Sequence, residues 1–439
     1  MPVFLDTAVL REAGVVGAGG AGFPTYAKLR AKAAVVLGNG AECEPLLRVD
    51  QGLMRHRAAE VARGLQIVGD MVEAERMVVG VKKKHAEAVA ALEAAGVEVA
   101  GLPDFYPVGD EHVLVCEVTG RVVPQGGLPL DVGVVVQNVE TLVNIARAAD
   151  GRPVVDTYVS LLGEVRRGRE MCLPVGTKVR DAIELAGGAT VDSYAVVDGG
   201  PMMGTLVHPD APITKTTKAL IVLPADHHLV QLKLAAEAIG GRALKITQSA
   251  CCQCHICTDL CPRNLLGHAI TPDRSVGNLH LARGDRRVLE SSALCTQCNL
   301  CGYFACPLRL HPNEIHAVVK RMVRDLGLPA YKVEPRVTVP AAYRHLRRVP
   351  SRRLIQRLWL ERYERPLVWD DQDYVPERVE IRLRQHIGSP ARPRVRLGDR
   401  VLRGDRIADV EGDALGVPVH ASIDGRVTAV DDVKVAIAA

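Results

Sequence analysis

Aromatic residues are scarce: 4 Phe, 2 Trp and 9 Tyr make up 3% of 439 residues. A β sandwich draws heavily on such side chains for its core. Their scarcity, beside abundant Ala, Val, Leu and Gly, favours α/β packing. Charge of one sign is also lacking. The formal net charge is +4, too small for the basic footprint of a nucleic-acid binder, so no nucleic-acid partner is expected. No run approaches ~18 consecutive apolar residues, so no transmembrane segment is expected. Met1–Ala18 has no basic stretch ahead of an apolar one, so no secretory signal is expected. The expected home is a reducing cytoplasm.

What the chain does have is cysteine in one place. Eight of its 12 cysteines fall between residues 251 and 306. The first run is Cys251-x2-Cys254-x2-Cys257-x3-Cys261-Pro262. The second is Cys295-x2-Cys298-x2-Cys301-x4-Cys306-Pro307. Three thiolates at this close repeat wrap one iron–sulfur cube, and in the two-cluster spacing the fourth cysteine ligates the other cluster. The expected sets are Cys251, Cys254, Cys257 and Cys306 on one [4Fe–4S] cluster, and Cys295, Cys298, Cys301 and Cys261 on the other. The second run carries one extra residue before its last cysteine, which a one-residue bulge before the proline can absorb. Zinc prefers two well-separated pairs of ligands, and disulfides need an oxidising compartment. Completed ligation points to electron transfer. Cys43, Cys116, Cys172 and Cys252 are left as small buried hydrophobes.

The length suggests about three domains. Near the start, Gly17-Ala18-Gly19-Gly20-Ala21-Gly22-Phe23-Pro24-Thr25 and then Lys28 form a glycine-dense loop ahead of a helix, which lets backbone N–H groups approach a phosphate. Ala33–Leu37, Met77–Val81 and Val132–Val136 read as buried strands. Arg55–Val72, Lys83–Ala95 and the stretch from Asn138 to Ala149 read as helices. The first strand runs into Asn39-Gly40-Ala41-Glu42-Cys43-Glu44-Pro45, where open α/β sheets bind ligands.

Four pieces then occur in order: the glycine loop, Asn39–Pro45, Tyr106-Pro107-Val108-Gly109-Asp110-Glu111, and Asn138-Val139-Glu140-Thr141. Together they resemble the flavin- and NADH-binding subunit of respiratory complex I, and still more the RnfC family. The resemblance implies a non-covalent FMN. It places Gly17, Gly19, Gly20 and Lys28 at the flavin and its phosphate, with Asn39, Glu42, Tyr106, Gly109, Asp110, Glu111 and Asn138 completing the site. Phe23 and Glu44 match positions that meet NADH, the implied electron donor. Ala41 stands where the complex I pattern has aspartate, and Gln137 where it has the first of two asparagines. Lys28 and Glu111 are the nearest to catalytic residues, acting on flavin electronics and hydride-donor placement.

Residues 151–228 resemble an SLBB domain, a β-grasp module whose Asp198–Gly204 turn faces the flavin domain. It is expected to serve as a spacer. His227 and His228 read as a surface pair at a domain boundary. Val230–Ile239 and Arg283–Ser292 read as helices, as does the pattern Ile315, Val318, Val319, Met322, Val323. Between 331 and 378 lie Arg344, Arg347, Arg348, Arg352, Arg353, Arg357, Arg362 and Arg365, with Leu354, Ile355, Leu358 and Trp359 as one apolar face. Such a helix packs on its own protein or docks a membrane surface or acidic partner. From Val379 the strands and Gly-Asp turns resemble a lipoyl-like barrel. Its tip, Glu411-Gly412-Asp413-Ala414, offers no lysine for a swinging arm. Gln385-His386-Ile387-Gly388-Ser389-Pro390 is similar to the segment that begins RnfC proteins.

The expected architecture is therefore multidomain. An α/β flavin-binding domain (1–150) precedes an SLBB β-grasp domain (151–228) and a helical two-cluster ferredoxin-type domain (229–330). An Arg-rich linker (331–378) and a barrel-sandwich domain (379–439) follow. That order of modules resembles the cobalamin reductases of propanediol-utilisation microcompartments. It implies electron flow from NADH through FMN and two [4Fe–4S] clusters to cobalamin, or to an adenosyltransferase, inside a bacterial microcompartment, with a shell protein as a candidate partner. Two rivals stay open: a peripheral subunit docked to a membrane ion pump through the segment near Arg352, and a scaffold for shell proteins.

Overall fold

Valine runs build the first sheet. In the computed structural model, which describes residues 5–239, 246–247, 249–277, 285–327, 332–333 and 335–439, four parallel strands lie in the order Glu98–Leu102, Arg76–Lys82, Val35–Gly40, Val134–Asn138. Val36, Leu37, Val78, Val79 and Val134 are fully buried, each worth about 1.5–3 kcal/mol on leaving water. Helices Ala58–Val72 and Val139–Ala149 pack together across the sheet. Gly64 allows their close approach: a Cβ there would stand 2.0 Å from the Leu142 carbonyl oxygen. The helix expected over Arg55–Val72 is two helices, Val49–His56 and Ala58–Val72, because Arg57 leaves the helical region at φ −130°.

The second body is a six-stranded mixed sheet ordered Val368–Asp370, Arg169–Pro174, Asp156–Gly163, Ala219–Pro224, Tyr194–Asp198, Thr205–Val207, with helix Val179–Leu185. Its first strand comes from the segment expected to be a linker, and pairs in parallel with Arg169–Met171. The same segment pairs Val349–Pro350 with Phe105–Tyr106 of the first domain. It is a strap rather than a free connection. Leu354, Ile355, Leu358 and Leu360 are buried in a core shared with Tyr106, Leu229, Leu300 and Tyr303. Trp359 departs from the expected apolar face: it is 63% exposed, at φ +60°, with its ring 4.6 Å from His228. His227 caps the helix His228–Glu237. Arg344 and Arg348 both pair with Glu117.

Short helices form the cysteine-rich domain, among them Ile256–Asp259, Pro262–Leu265, Pro272–Gly277, Arg286–Leu294 and Pro312–Asp325. Residues 283–284 of the expected Arg283–Ser292 helix lie outside the described residues. The C-terminal domain is two antiparallel sheets. One is ordered Arg378–Arg382, Lys434–Ala438, Gly425–Val430, Arg400–Val401; the other is Arg392–Pro393, Arg406–Asp409, Val419–His420. Val379, Ile381, Ile407, Val435 and Ile437 fill the space between. No helix among the described residues is long and apolar enough to cross a membrane.

Candidate flavin and iron–sulfur sites

The chain leaves strand Val35–Gly40 toward one side of the sheet and returns to its other side as Val134–Asn138. The gap between their carboxyl ends is the switch point where such sheets take ligands. The glycine loop lies there. A Val16–Pro24 bridge closes it, with Gly17 N–H donating to Phe23 O at 2.8 Å and Gly22 N–H to Gly17 O at 3.2 Å. Ala18 N–H donates to Thr141 Oγ1 at 2.9 Å. Gly19 sits over Asn138, whose Cβ would be 3.5 Å from a Cβ at Gly19, and Gly20 has open space around it. Lys28 Nζ lies 2.9 Å from Glu111 Oε1, both partly exposed, and 5.9 Å from the centre of the Phe23 ring. Asn39 Nδ2 donates to Gly109 O at 3.0 Å.

Gly17, Gly19, Phe23, Lys28, Glu111 and Asn138 thus share one end of the sheet, with Asn39 and Gly109 beside them. The buried Thr25 Oγ1 and Gln137 Nε2 have no partner among the described residues. Unpaired polar atoms and a backbone loop with open space at Gly20 fit a phosphate-bearing flavin.

The acids are placed differently. Glu42 accepts Asp50 N–H at 2.8 Å and Gln51 Nε2 at 2.8 Å. Burial first, then Asp50, pushes its carboxyl up to about 7. Asp50 accepts Asn138 Nδ2 at 2.9 Å and lies 3.7 Å from Lys218 Nζ, which also pairs with Glu140. A lysine of the SLBB domain is thus the counter-charge for two buried carboxylates of the flavin domain. Glu44 spends both oxygens on Met202 N–H and Met203 N–H, each at 2.9 Å, in the turn after Asp198. Asp50 and Lys218 had no place in the sequence reading, and Glu140 entered it only as part of the piece Asn138-Val139-Glu140-Thr141.

Glu170, also buried, lies against Gly52. Burial, reinforced by Glu42, raises its carboxyl to about 8. An acid raised this way stabilises the fold fully below its unfolded pKa, and that contribution drains away as pH climbs toward 8. Glu170→Gln should therefore lose less melting temperature than the parent between pH 5 and pH 8, read by thermal scans at both pH values. Parallel curves would remove Glu170 from the account.

Tyr106 and Asp110 reach the cysteine domain. Tyr106 Oη donates to Cys298 O at 2.7 Å. Asp110 caps helix Glu111–Thr119 and pairs with Arg263 at 3.0 Å, two residues beyond Cys261.

The eight thiols divide into two sets. Cys261, Cys295, Cys298 and Cys301 line one small cavity. Cys251, Cys254, Cys257 and Cys306 line another. The fourth cysteine of each run crosses to the other run's set. Both loops turn through left-handed residues at matching places, Gln253 and His255 in one, Gln297 and Asn299 in the other. The extra residue of the second run is taken up by a π turn, Cys301–Ala305, closed by Cys306 N–H on Cys301 O at 3.0 Å; such a turn accommodates one inserted residue. Burial pushes the Cys257 and Cys261 thiols up to about 12, and raises Cys298 and Cys301 strongly too. Gathered, unbridged and costly to ionise alone, these thiols fit a cationic iron core that supplies the missing charge. The sets differ in exposure. The first set meets the flavin domain through the Cys298 carbonyl and through Arg263 beside Cys261, whereas residues 252–256 of the other loop are all exposed.

Family models match the same regions: the Nuo51 FMN-binding domain over 10–147, the SLBB domain over 158–206, the 4Fe-4S dicluster domain over 250–311 and the RnfC barrel sandwich hybrid domain over 371–439. The cobalamin reductase PduS of Salmonella typhimurium is 42% identical, covering 96% of this chain and 94% of its own. That of Citrobacter freundii is 40% identical, covering 98% and 95%. One component of the proton-translocating ferredoxin:NAD(+) oxidoreductase complex of Clostridium ljungdahlii is 35% identical over 58% of this chain and 55% of its own. Among solved structures, an NAD+-reducing [NiFe]-hydrogenase in the H2-reduced state shares the fold. Its TM-score is 0.50 at 19% identity, over 74% of this chain and 63% of that one.

Proposed function

Because the chain belongs to the family of the PduS cobalamin reductases, we propose that it is an oxidoreductase carrying electrons from NADH, by way of FMN and two [4Fe–4S] clusters, to cobalamin. The observation that carries this reading is the division of eight thiols into two sets of four, one in contact with the flavin domain and one whose loop is exposed. A hydride donor gives two electrons and a cluster accepts one, so bound FMN supplies the conversion between them.

The chain's own residues bind and orient. Gly17, Gly19 and Gly20 present backbone to the flavin phosphate, and Asn39, Gly109 and Asn138 shape the wall beside it. Lys28 and Glu111, paired and half-exposed, stand where a dinucleotide approaches, with Phe23 at their edge. Glu42 and Glu44 hold the loop after the first strand and its contact with the SLBB turn. Tyr106 and Asp110 fix the distance to the first thiol set. Cys261, Cys295, Cys298 and Cys301 form the entry set, and Cys251, Cys254, Cys257 and Cys306 the exit set. No side chain is required as a general acid or base. The acceptor is cobalamin, free or on an adenosyltransferase, and the setting is a bacterial microcompartment in the cytoplasm, where a shell protein is a further partner.

Anaerobic reconstitution with iron, sulfide and FMN tests the reading. The protein should retain flavin, contain acid-labile sulfide, and oxidise NADH with a one-electron acceptor. Absence of bound flavin after reconstitution refutes it.

A further inference from the structure

The glycine loop is gripped from behind by two domains that follow it in the chain. Gly14 O, just ahead of the loop, accepts Lys215 Nζ at 2.8 Å. Gly22 O, near its end, accepts Ile387 N–H at 3.0 Å. The two grips are joined: Lys215 N–H donates to Gln385 Oε1 at 3.0 Å, and Gln385 Nε2 donates to Arg382 O at 2.9 Å. His386 pins the same turn to the barrel, its Nε2 accepting Val417 N–H at 3.2 Å. There is no slack at Gly22. A Cβ there would meet Gln385 O at 3.1 Å, His386 Cα at 3.2 Å and Thr216 Cγ2 at 3.2 Å. Lys215 is 3% exposed, and among the described residues its amine has no carboxylate partner and a single hydrogen bond, to Gly14 O. A buried lysine held for a single carbonyl points to a geometric task. Farther out, Arg406 pairs with Glu12 and Arg11 Nη2 donates to Gly412 O at 2.9 Å, so the barrel is anchored on both sides of the contact.

A loop this rich in glycine loses much backbone freedom when it orders. A ligand that has to order it binds more weakly than one that meets it already formed. We propose that the SLBB and barrel domains clamp the glycine loop in its binding form, with Lys215, Gln385 and the main-chain N–H of Ile387 as positioning groups for the flavin phosphate. All three act through the backbone on either side of the loop. The barrel is thereby a working part of the flavin site rather than an appendage. The inference rests on the reading that the loop holds FMN.

The test uses the full chain with its clusters reconstituted. FMN is titrated into flavin-free protein under anaerobic conditions and followed by fluorescence quenching, while hydrogen exchange of the Gly17–Phe23 amides is read without FMN. Ile387→Pro removes the N–H, and Lys215→Met removes the donor to Gly14. Each should weaken FMN binding about tenfold, the effect of one lost hydrogen bond, and speed exchange in the loop, with iron content and cluster EPR unchanged. Ile387→Ala, the conservative variant that keeps the N–H, should rescue both readouts; the Ile387 side chain is 47% exposed. Parent-like exchange and affinity in both Ile387→Pro and Lys215→Met would overturn the clamp. A parent that binds no FMN would instead sink the flavin reading, and the exchange data would still decide the clamp.

Discussion

Cys298→Ser should abolish NADH-driven reduction of cobalamin while leaving NADH able to bleach the flavin, and Cys257→Ser should abolish the same reduction while still letting one cluster fill. The difference follows from position. Cys298 belongs to the set that lies against the flavin domain, its carbonyl bound by Tyr106 Oη at 2.7 Å. Cys257 belongs to the set whose loop is exposed. The loss in each variant should be at least about a hundredfold, because perturbing the surroundings of a ligand alone costs ~10–100-fold in metal affinity or activity. Cys257 is the better probe of its set than Cys251, because Cys252, exposed rather than buried as its sequence suggested, stands next to Cys251 and offers a substitute thiol. EPR after NADH addition separates the cases. A reduced cluster signal is expected in Cys257→Ser and none in Cys298→Ser. The reverse pattern would invert the order of entry and exit.

Arg263→Ala should open the contact between the flavin and cysteine domains. Asp110 is buried beside Arg263, with side-chain exposures of 10% and 11%. Burial alone pushes the Asp110 carboxyl up, but Arg263, helped by His112 and the Val113 N–H, more than offsets it and holds the group below its usual range. The sign follows: this pair's stability is present above the unfolded carboxylate pKa and is lost as pH falls through the lower folded value. Removing the arginine strands a buried charge, which costs about 3–5 kcal/mol. The variant should melt earlier at pH 7 and approach the parent at acid pH. Its flavin should still be reduced by NADH, with slower onward transfer to the clusters. An unchanged melting temperature would show that the pair does not hold the interface.

Cysteine spacing made the two thiol sets legible in the sequence, because a ligand loop is a local object. Even the extra residue before Cys306 announced a local irregularity, and a π turn takes it up. Asn39 and Asn138 were legible because each sits at a strand end that the apolar pattern marks, and the glycine loop by its own composition. What spacing does not encode is which distant side chain completes a local site. Lys218 pairs with both Asp50 and Glu140 from another part of the chain, and Glu44 turns to the Met202–Met203 amides. The arginine-rich segment read as a helix that packs on its own protein or docks a partner, and Leu354, Ile355 and Leu358 are buried. The acids that meet Arg344, Arg348 and Arg362, namely Glu117 and Glu164, lie far off in the chain. The same limit hid the strap: a two-residue pairing such as Val349–Pro350 with Phe105–Tyr106 has no periodicity to betray it.

The relay itself is tested most directly by mixing the oxygen-free, fully loaded protein with NADH and cob(III)alamin and following flavin and corrinoid absorbance together. Flavin bleaching should come first, corrinoid reduction should follow, and protein stripped of FMN should show neither. Corrinoid reduction at an undiminished rate in the stripped protein, or none in the loaded one, would contradict the proposed path.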